Sequence, residues 1–342
     1  MTGRRRELEI LGTVTALLLL VTGNGFAQEL SREIVDAAKR EGKVAIYGSI
    51  ESETMVELSK VFEAKHKVKV EYWRASSTKV MDRALVEART GRPLFDLVLT
   101  NETPMRILKK EGAFGKFTAP AGASYPESVK DPDGVLTPPY RLAVVGLLYN
   151  PRMVKAEETP KSWKDLLDPK WKGKIVMPDP TRHSTTTTWL VNLEKLLGKD
   201  ARSFREGLAA QKPLMVESFI PSAQKVIAGE APLGISYIKF VQIFGKKEGA
   251  PLDWVRLKQS LAEPHFLALG AKPTNANAAK LFINFLLTPE ALKILAAEGE
   301  FVLLRGVHPP IPEVEKLEIV QMDDLSEEEL RKARADMKKI FF

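Results

Sequence analysis

Cysteine is absent from the chain. That excludes disulfides, a thiol nucleophile, thiolate metal sites and the lipid-bearing cysteine of a bacterial lipoprotein. Histidine is scarce, and His66, His183, His265 and His308 stand far apart at no metal-ligand spacing. The GxSxG elbow, HExxH, the phosphate loop GxxxxGK followed by Ser or Thr, and GxGxxG after the first strand are all missing, so the usual hydrolase, zinc-protease, nucleotide and dinucleotide signatures are not met. The formal charge is +7, from 51 Lys and Arg against 44 Asp and Glu, with no basic block interleaved with aromatics. Nucleic acid is therefore not an expected partner; the surplus suits a weak bias toward acidic solutes.

Long hydrophobic runs are also lacking, with one exception at the start. Arg4, Arg5 and Arg6 precede an apolar run from Ile10 to Val21 interrupted by Gly12, and Gly25-Phe26-Ala27 follows it. The run is short for a membrane span, and the small-residue exit reads as a signal peptide over residues 1–27, cleaved near Ala27. The mature chain then begins near Gln28. Losing three Arg and two Glu leaves it at about +6, and without a cysteine anchor it is expected free in a periplasm.

What remains is a chain of 342 residues with 44% hydrophobic and 28% charged content, enough for two domains. From Ser31 onward helical and strand periods alternate. One helix ends at Gly42, Lys43 to Tyr47 is a strand, and Glu51 to His66 is a helix. Val68 to Trp73 alternates at period two, a helix around Val80 closes at Gly91, and Leu94 to Thr100 is apolar. This βαβαβ rhythm predicts a parallel sheet covered by helices. A second α/β series follows Leu142 to Tyr149: a capping box at Ser162 and Asp165, strands at Lys174 to Met177, Pro213 to Glu217 and Pro232 to Tyr237, and intervening helices. Strand character returns at Phe266 to Gly270, followed by helices over Ala276 to Leu287 and Ala291 to Glu298 and a charged amphipathic helix in Leu325 to Phe342.

In such sheets a ligand crevice lies beyond the carboxyl ends of the strands. Those ends supply Ser49 and Glu51, then Arg74, Ser76 and Ser77, then Asn101 and Glu102, all polar and close to helix starts. In the second series, Asp168 to Leu190 runs from a turn through a buried strand and a Pro-broken loop into a hydroxyl-rich helix start, bringing Arg182, His183, Ser184 and Thr185 into consideration. Helix starts leave N–H groups unpaired, and adjoining hydroxyls serve either as caps or as donors to an anion. Arg141 and Lys239 add cations, each of which has an ordinary alternative as a surface charge or an ion pair between lobes.

Several stretches carry a resemblance: Val44 to Glu51, Val61 to Arg74, the FDLVLT run from Phe95, the SWKDLLDPKWKGKI run from Ser162, and Asn275 to Leu287. Together they resemble the extracellular solute-binding proteins of ABC importers, in the branch containing the ferric-iron-binding proteins. The resemblance implies an α/β type II periplasmic binding fold, with crossovers near Arg141 and Glu263 to Phe266. Lobe 1 would hold residues 28–143 plus 262–310, and lobe 2 residues 144–261 plus 311–342. It also implies a monomer that closes on a small-molecule ligand and delivers it to ABC permease membrane subunits, with no cofactor and no catalytic residue.

Ferric-binding relatives use adjacent tyrosines after the strand matching Leu233 to Tyr237. Aligned through Gly249, that pair falls here on Lys239 and Phe240, with Tyr237 two residues earlier. A shifted alignment restores Glu51, Glu102 and Tyr237 as oxygen ligands for iron. The preferred reading is a small organic or phosphorus-containing anion held by Arg74, Arg141, Arg182 and Lys239 with the hydroxyls. A third reading, an exported hydrolase or lyase, would use Glu51 or Glu102 as a base near His183.

Overall fold

A computed structural model describes residues 30–342, so the signal peptide expected over 1–27 lies outside the described residues. The first series folds as α1 (Arg32–Glu41), β1 (Lys43–Gly48), α2 (Ser52–His66), β2 (Lys69–Arg74), α3 (Ser77–Arg89), β3 (Leu97–Asn101) and α4 (Glu102–Lys110). Ser31 caps α1 by accepting from the Ile34 N–H, and Gly42 ends it at φ 74°, a left-handed conformation that suits glycine. β1 pairs in parallel with both β2 and β3, so the ends of these strands and the starts of the following helices share one edge.

β3 starts later than the apolar run suggests. Leu94 is 66% exposed, and the strand begins only at Leu97. The intervening Asp96 is buried and works as a connector: its carboxylate accepts from Ala45 N at 2.8 Å and from Asn275 N and Nδ2 at 2.8 and 2.9 Å. One side chain thus ties β1 to the loop that leads into the late helices.

The second series comprises β4 (Arg141–Tyr149), β5 (Ile175–Pro178), α5 (Ser184–Asn192), α6 (Glu194–Leu197), α7 (Ala201–Ala210), β6 (Leu214–Val216), α8 (Phe219–Ile227), β7 (Leu233–Tyr237) and β8 (Asp253–Trp254). Then come β9 (Gln259–Leu269), α9 (Ala276–Leu286), α10 (Pro289–Ala297), β10 (Glu318–Gln321) and α11 (Glu327–Phe341). The Ser162 capping box forms, but it opens a 3-10 turn over Trp163–Leu167 rather than a longer helix. Pro169 lies just beyond and disfavours helical backbone at Asp168, which stops the element.

The strands follow the order β2-β1-β3-β9-β4-β7-β5-β6. β9 and β4 are the long ones and change neighbours along their length. β9 pairs antiparallel with β3 from Leu269 to His265 and with β4 from His265 to Leu261. β4 pairs with β9 from Arg141 to Val145 and with β7 from Val145 to Tyr149. These two strands therefore belong to both halves of the sheet. Leu142 to Ala262 and late residues such as Phe301 and Ile311 build one apolar core, whereas β1, α2, α9 and α10 build another.

Asp96→Ala should destabilise the protein by about 3 kcal/mol, since it strands several buried donors at once. Denaturant unfolding measures this, and a loss below about 1 kcal/mol would remove Asp96 as a connector.

Candidate functional site

A cavity of 780 Å³ opens between the two halves, beside the crossing strands. Twelve of the fourteen residues nominated from the sequence line it. Ser49, Glu51, Arg74, Ser76 and Ser77 come from the ends of β1 and β2, and Arg141 comes from the start of β4. Arg182, His183, Ser184 and Thr185 come from the entry to α5, and Tyr237 and Lys239 from the end of β7.

The remaining two lie elsewhere. Asn101 is buried beneath the cavity, where its Nδ2 donates to Glu263 Oε1 at 2.7 Å. Glu102 opens α4, and Arg106, one helical turn later, folds back on it with Nε at 2.8 Å. It faces a separate pocket with Asp323 and Asp324. Glu51, Glu102 and Tyr237 consequently form no single donor set, and among the described residues no three His, Asp or Glu side chains converge as a metal site.

The floor of the cavity is a buried charge cluster. Lys239 Nζ lies 2.7 Å from Glu51 Oε2 and 2.9 Å from Glu300 Oε1. Arg141 Nη1 also pairs with Glu300 and approaches Glu51 at 3.5 Å, while its Nη2 donates to His265 Nδ1 at 3.2 Å. Arg141, Lys239, Glu300 and His265 are all at most 4% exposed. Burial would raise the Glu51 carboxyl, yet Lys239 and Arg141 outweigh it and hold Glu51 down at about 2. Burial, with Arg141 and Lys239 adding to it, pushes His265 well below its usual range and keeps it neutral. Lys239 and Arg141 are therefore paired and buried in this structure rather than standing as surface charges. Glu300, which follows α10 and Gly299, carried no site signal in the sequence because nothing local marks a partner so far along the chain.

Helix starts ring the cavity above this floor. Glu51, Ser76 and Ser218 are the N-caps of α2, α3 and α8, and none makes a side-chain capping bond. α5 is different, since His183 itself is the cap: its Nδ1 accepts from Thr186 N at 3.3 Å. The Ser/Thr run opens α5, as expected of a helix start, with Thr185 to Thr188 buried. Burial, helped by the Arg334 charge, lowers His183 to about 4. Phe219, Ile220, Phe240 and Trp73 add an apolar wall that the strand-end argument did not find. Tyr237 packs on Phe219 at 4.3 Å between ring centres, and burial with the Glu263 charge raises its hydroxyl well above 10, against a phenolate.

Below Tyr237, Glu263 of β9 joins the halves without a cation. Oε1 accepts from Asn101 and Oε2 from Thr185 Oγ1 at 2.8 Å. Burial raises this carboxyl to about 7 despite those hydrogen bonds.

With this geometry in view, the chain matches the family of bacterial extracellular solute-binding proteins over residues 92–328. It is a member of that family. This solute-binding protein is 25% identical over 273 residues to an uncharacterized protein of Haemophilus influenzae, covering 77% of its own chain and 78% of the relative. Over 146 residues it is 31% identical to a probable ABC transporter periplasmic-binding protein of Sinorhizobium fredii, covering 42% and 39% of the two chains. Among solved structures, the ferric binding protein from Campylobacter jejuni gives a TM-score of 0.69 at 21% identity, covering 87% of this chain and 98% of the other. AfuA from Actinobacillus pleuropneumoniae, with fructose-6-phosphate bound, gives 0.68 at 22% identity, covering 88% and 96%. At these identities the likeness establishes the fold, which is the type II periplasmic binding fold.

Glu263 makes the stability of this solute-binding protein depend on pH. A carboxyl raised from 4.5 to about 7 contributes stability that is complete below pH 4.5 and lost as pH rises through 7. Glu263→Gln keeps the oxygen that accepts from Asn101, turns the second bond round so that its amide nitrogen donates to Thr185 Oγ1, and removes the charge, so its advantage over wild type should grow across that window to about 3 kcal/mol. His183 and His265 act in the opposite direction in both proteins and cancel in the difference. A constant gap between pH 5 and 8.5 in urea unfolding would refute the assignment.

Proposed function

We propose that this protein is the soluble, periplasmic binding component of an ABC importer and that it carries a small organic or phosphorus-containing anion. The observation behind the anion is the ring of helix starts: three N-caps line the cavity without capping their own helices, which leaves N–H donors and the positive ends of α2, α3 and α8 toward a solute. Arg74, Lys79 and Arg182 line the same cavity, are exposed, and form no ion pair among the described residues. The surplus of accessible donors over acceptors favours a carboxylate or phosphate ester.

The proposed lobes, 28–143 plus 262–310 and 144–261 plus 311–342, would close on that solute by bending β4 and β9. A solute touching both lobes favours the closed form by its differential contacts, and the permease reads the difference. Among the described residues no helix is long and apolar enough to cross a membrane. The ABC partner is supported by the name of the Sinorhizobium relative. A phosphate ester is in keeping with the ligand in the AfuA structure.

Bare ferric iron is the weaker reading, although a ferric binding protein shares the fold. Glu102 lies outside the cavity and Lys239 places an ammonium beside Glu51, where a trivalent cation would be repelled. The hydrolase reading loses Glu102 in the same way, and His183 commits one ring nitrogen to capping α5.

Native mass spectrometry of the mature protein, before and after unfolding and refolding, should reveal an organic anion that refolding removes. Stoichiometric iron with a coloured phenolate band would overturn the anion reading. In titration calorimetry with fructose 6-phosphate, inorganic phosphate and citrate, Arg74→Ala should weaken the bound anion about tenfold or more, the scale of one charge-assisted hydrogen bond, with no change in melting temperature.

A further inference from the structure

The two carboxylates of the charge cluster are placed differently. Glu300 Oε1 accepts from both Lys239 and Arg141, is 1% exposed and lies behind the cavity wall, so it is a fixed counter-charge. Glu51 lines the cavity, and its side chain is 15% exposed. It contacts Lys239 closely at 2.7 Å but Arg141 only at 3.5 Å. It also sits at the N-cap of α2 and does not cap that helix, its carboxylate reaching instead across to the other half.

Charge counting separates the two roles. Arg141 and Lys239 against Glu300 and Glu51 balance. With Glu51 withdrawn, the buried cluster keeps one uncompensated positive charge facing the cavity, and buried cations in that condition demand an anion. A solute carboxylate or phosphate oxygen supplies the same hard, charge-assisted acceptor that Glu51 supplies. A freed Glu51 would remain at the positive end of α2, where a carboxylate is favourable.

We propose that Glu51 is an internal competitor for the anion site: its carboxylate holds the Lys239 and Arg141 donors, and the incoming solute anion replaces it. This rests on the anion reading of the cavity. Affinity is then set by a difference between two carboxylate-like acceptors, and weakly acidic or neutral solutes fail to displace Glu51. Glu51 thus acts as a specificity-determining residue.

The test is titration calorimetry on the full mature chain with fructose 6-phosphate and inorganic phosphate as probes, comparing wild type with Glu51→Gln and Glu51→Asp. Glu51→Gln keeps an acceptor for Lys239 without the charge and should bind the anion at least tenfold more tightly. Glu51→Asp, one methylene shorter, should show a smaller gain, and it serves as the test if Glu51→Gln does not fold. If wild type binds either probe and the variants bind it equally or more weakly, Glu51 is a ligand contact or a structural ion pair, and the proposal fails while the anion reading stands. If wild type is silent and Glu51→Gln binds, both stand. If no form binds either probe, the anion reading fails and this proposal with it.

Discussion

Two cations and two carboxylates meet at the point where β4 and β9 cross between the halves, and the site depends on that meeting. Burying charges is costly, and truncating one member of such a cluster leaves another uncompensated. The four residues come from positions 51, 141, 239 and 300, so the cluster draws together the start of α2, the first crossover, the end of β7 and the turn after α10. Its members cannot all be satisfied unless both series have folded and come together. The gain is less in net stability than in register, because a shifted crossover would expose an unpaired buried charge.

That dependence also explains what sequence reasoning reached and what it did not. The alternating strands and helices were legible because each buries an apolar face at its own period, from β1 through β3 and again from β5 to β7. Strand character was legible in the residues only from Phe266 onward, and the resemblance put the crossover near Glu263 to Phe266, whereas β9 begins at Gln259. Glu263, Pro264 and His265 hide the first half of the strand, since a carboxylate, an imide and an imidazole do not look like core. The two polar ones are accommodated by partners distant in sequence, Asn101 and Thr185 for Glu263 and Arg141 for His265, that no local pattern announces.

The cavity followed the same rule. Polar strand ends placed Ser49, Glu51, Arg74, Ser76 and Ser77 together because the topology of a parallel sheet brings such ends to one edge. β3 departs from that pattern: it is the neighbour of β9, so Asn101 turns inward to Glu263, and Glu102 is drawn to Arg106 on its own helix. The aromatic wall of Phe219 and Phe240 was not legible, since a phenylalanine beside a helix start reads equally well as core. Glu300 was beyond reach for a different reason: a single glutamate after a helix is an ordinary surface residue until its partners are known.

Two buried carboxylates, Glu300 against the start of β4 and Glu263 on β9, tie the crossing strands to their surroundings by different physics. Glu300 is met by full positive charges, so its acceptor role belongs to a balanced cluster whose exposed member, Glu51, stays ionised far below neutrality. Glu263 is met only by an amide and a hydroxyl, dipoles too weak to offset burial, and its carboxyl is therefore raised to about 7. The ion-paired cluster thus presents its one cavity-lining carboxylate, Glu51, at the point where the proposed exchange with an anion would take place. The dipole-paired contact is closed to exchange but sensitive to pH. A solute that enters over Glu51 alters the first contact and leaves the second intact, so the halves need not lose their join at the moment the solute is taken up.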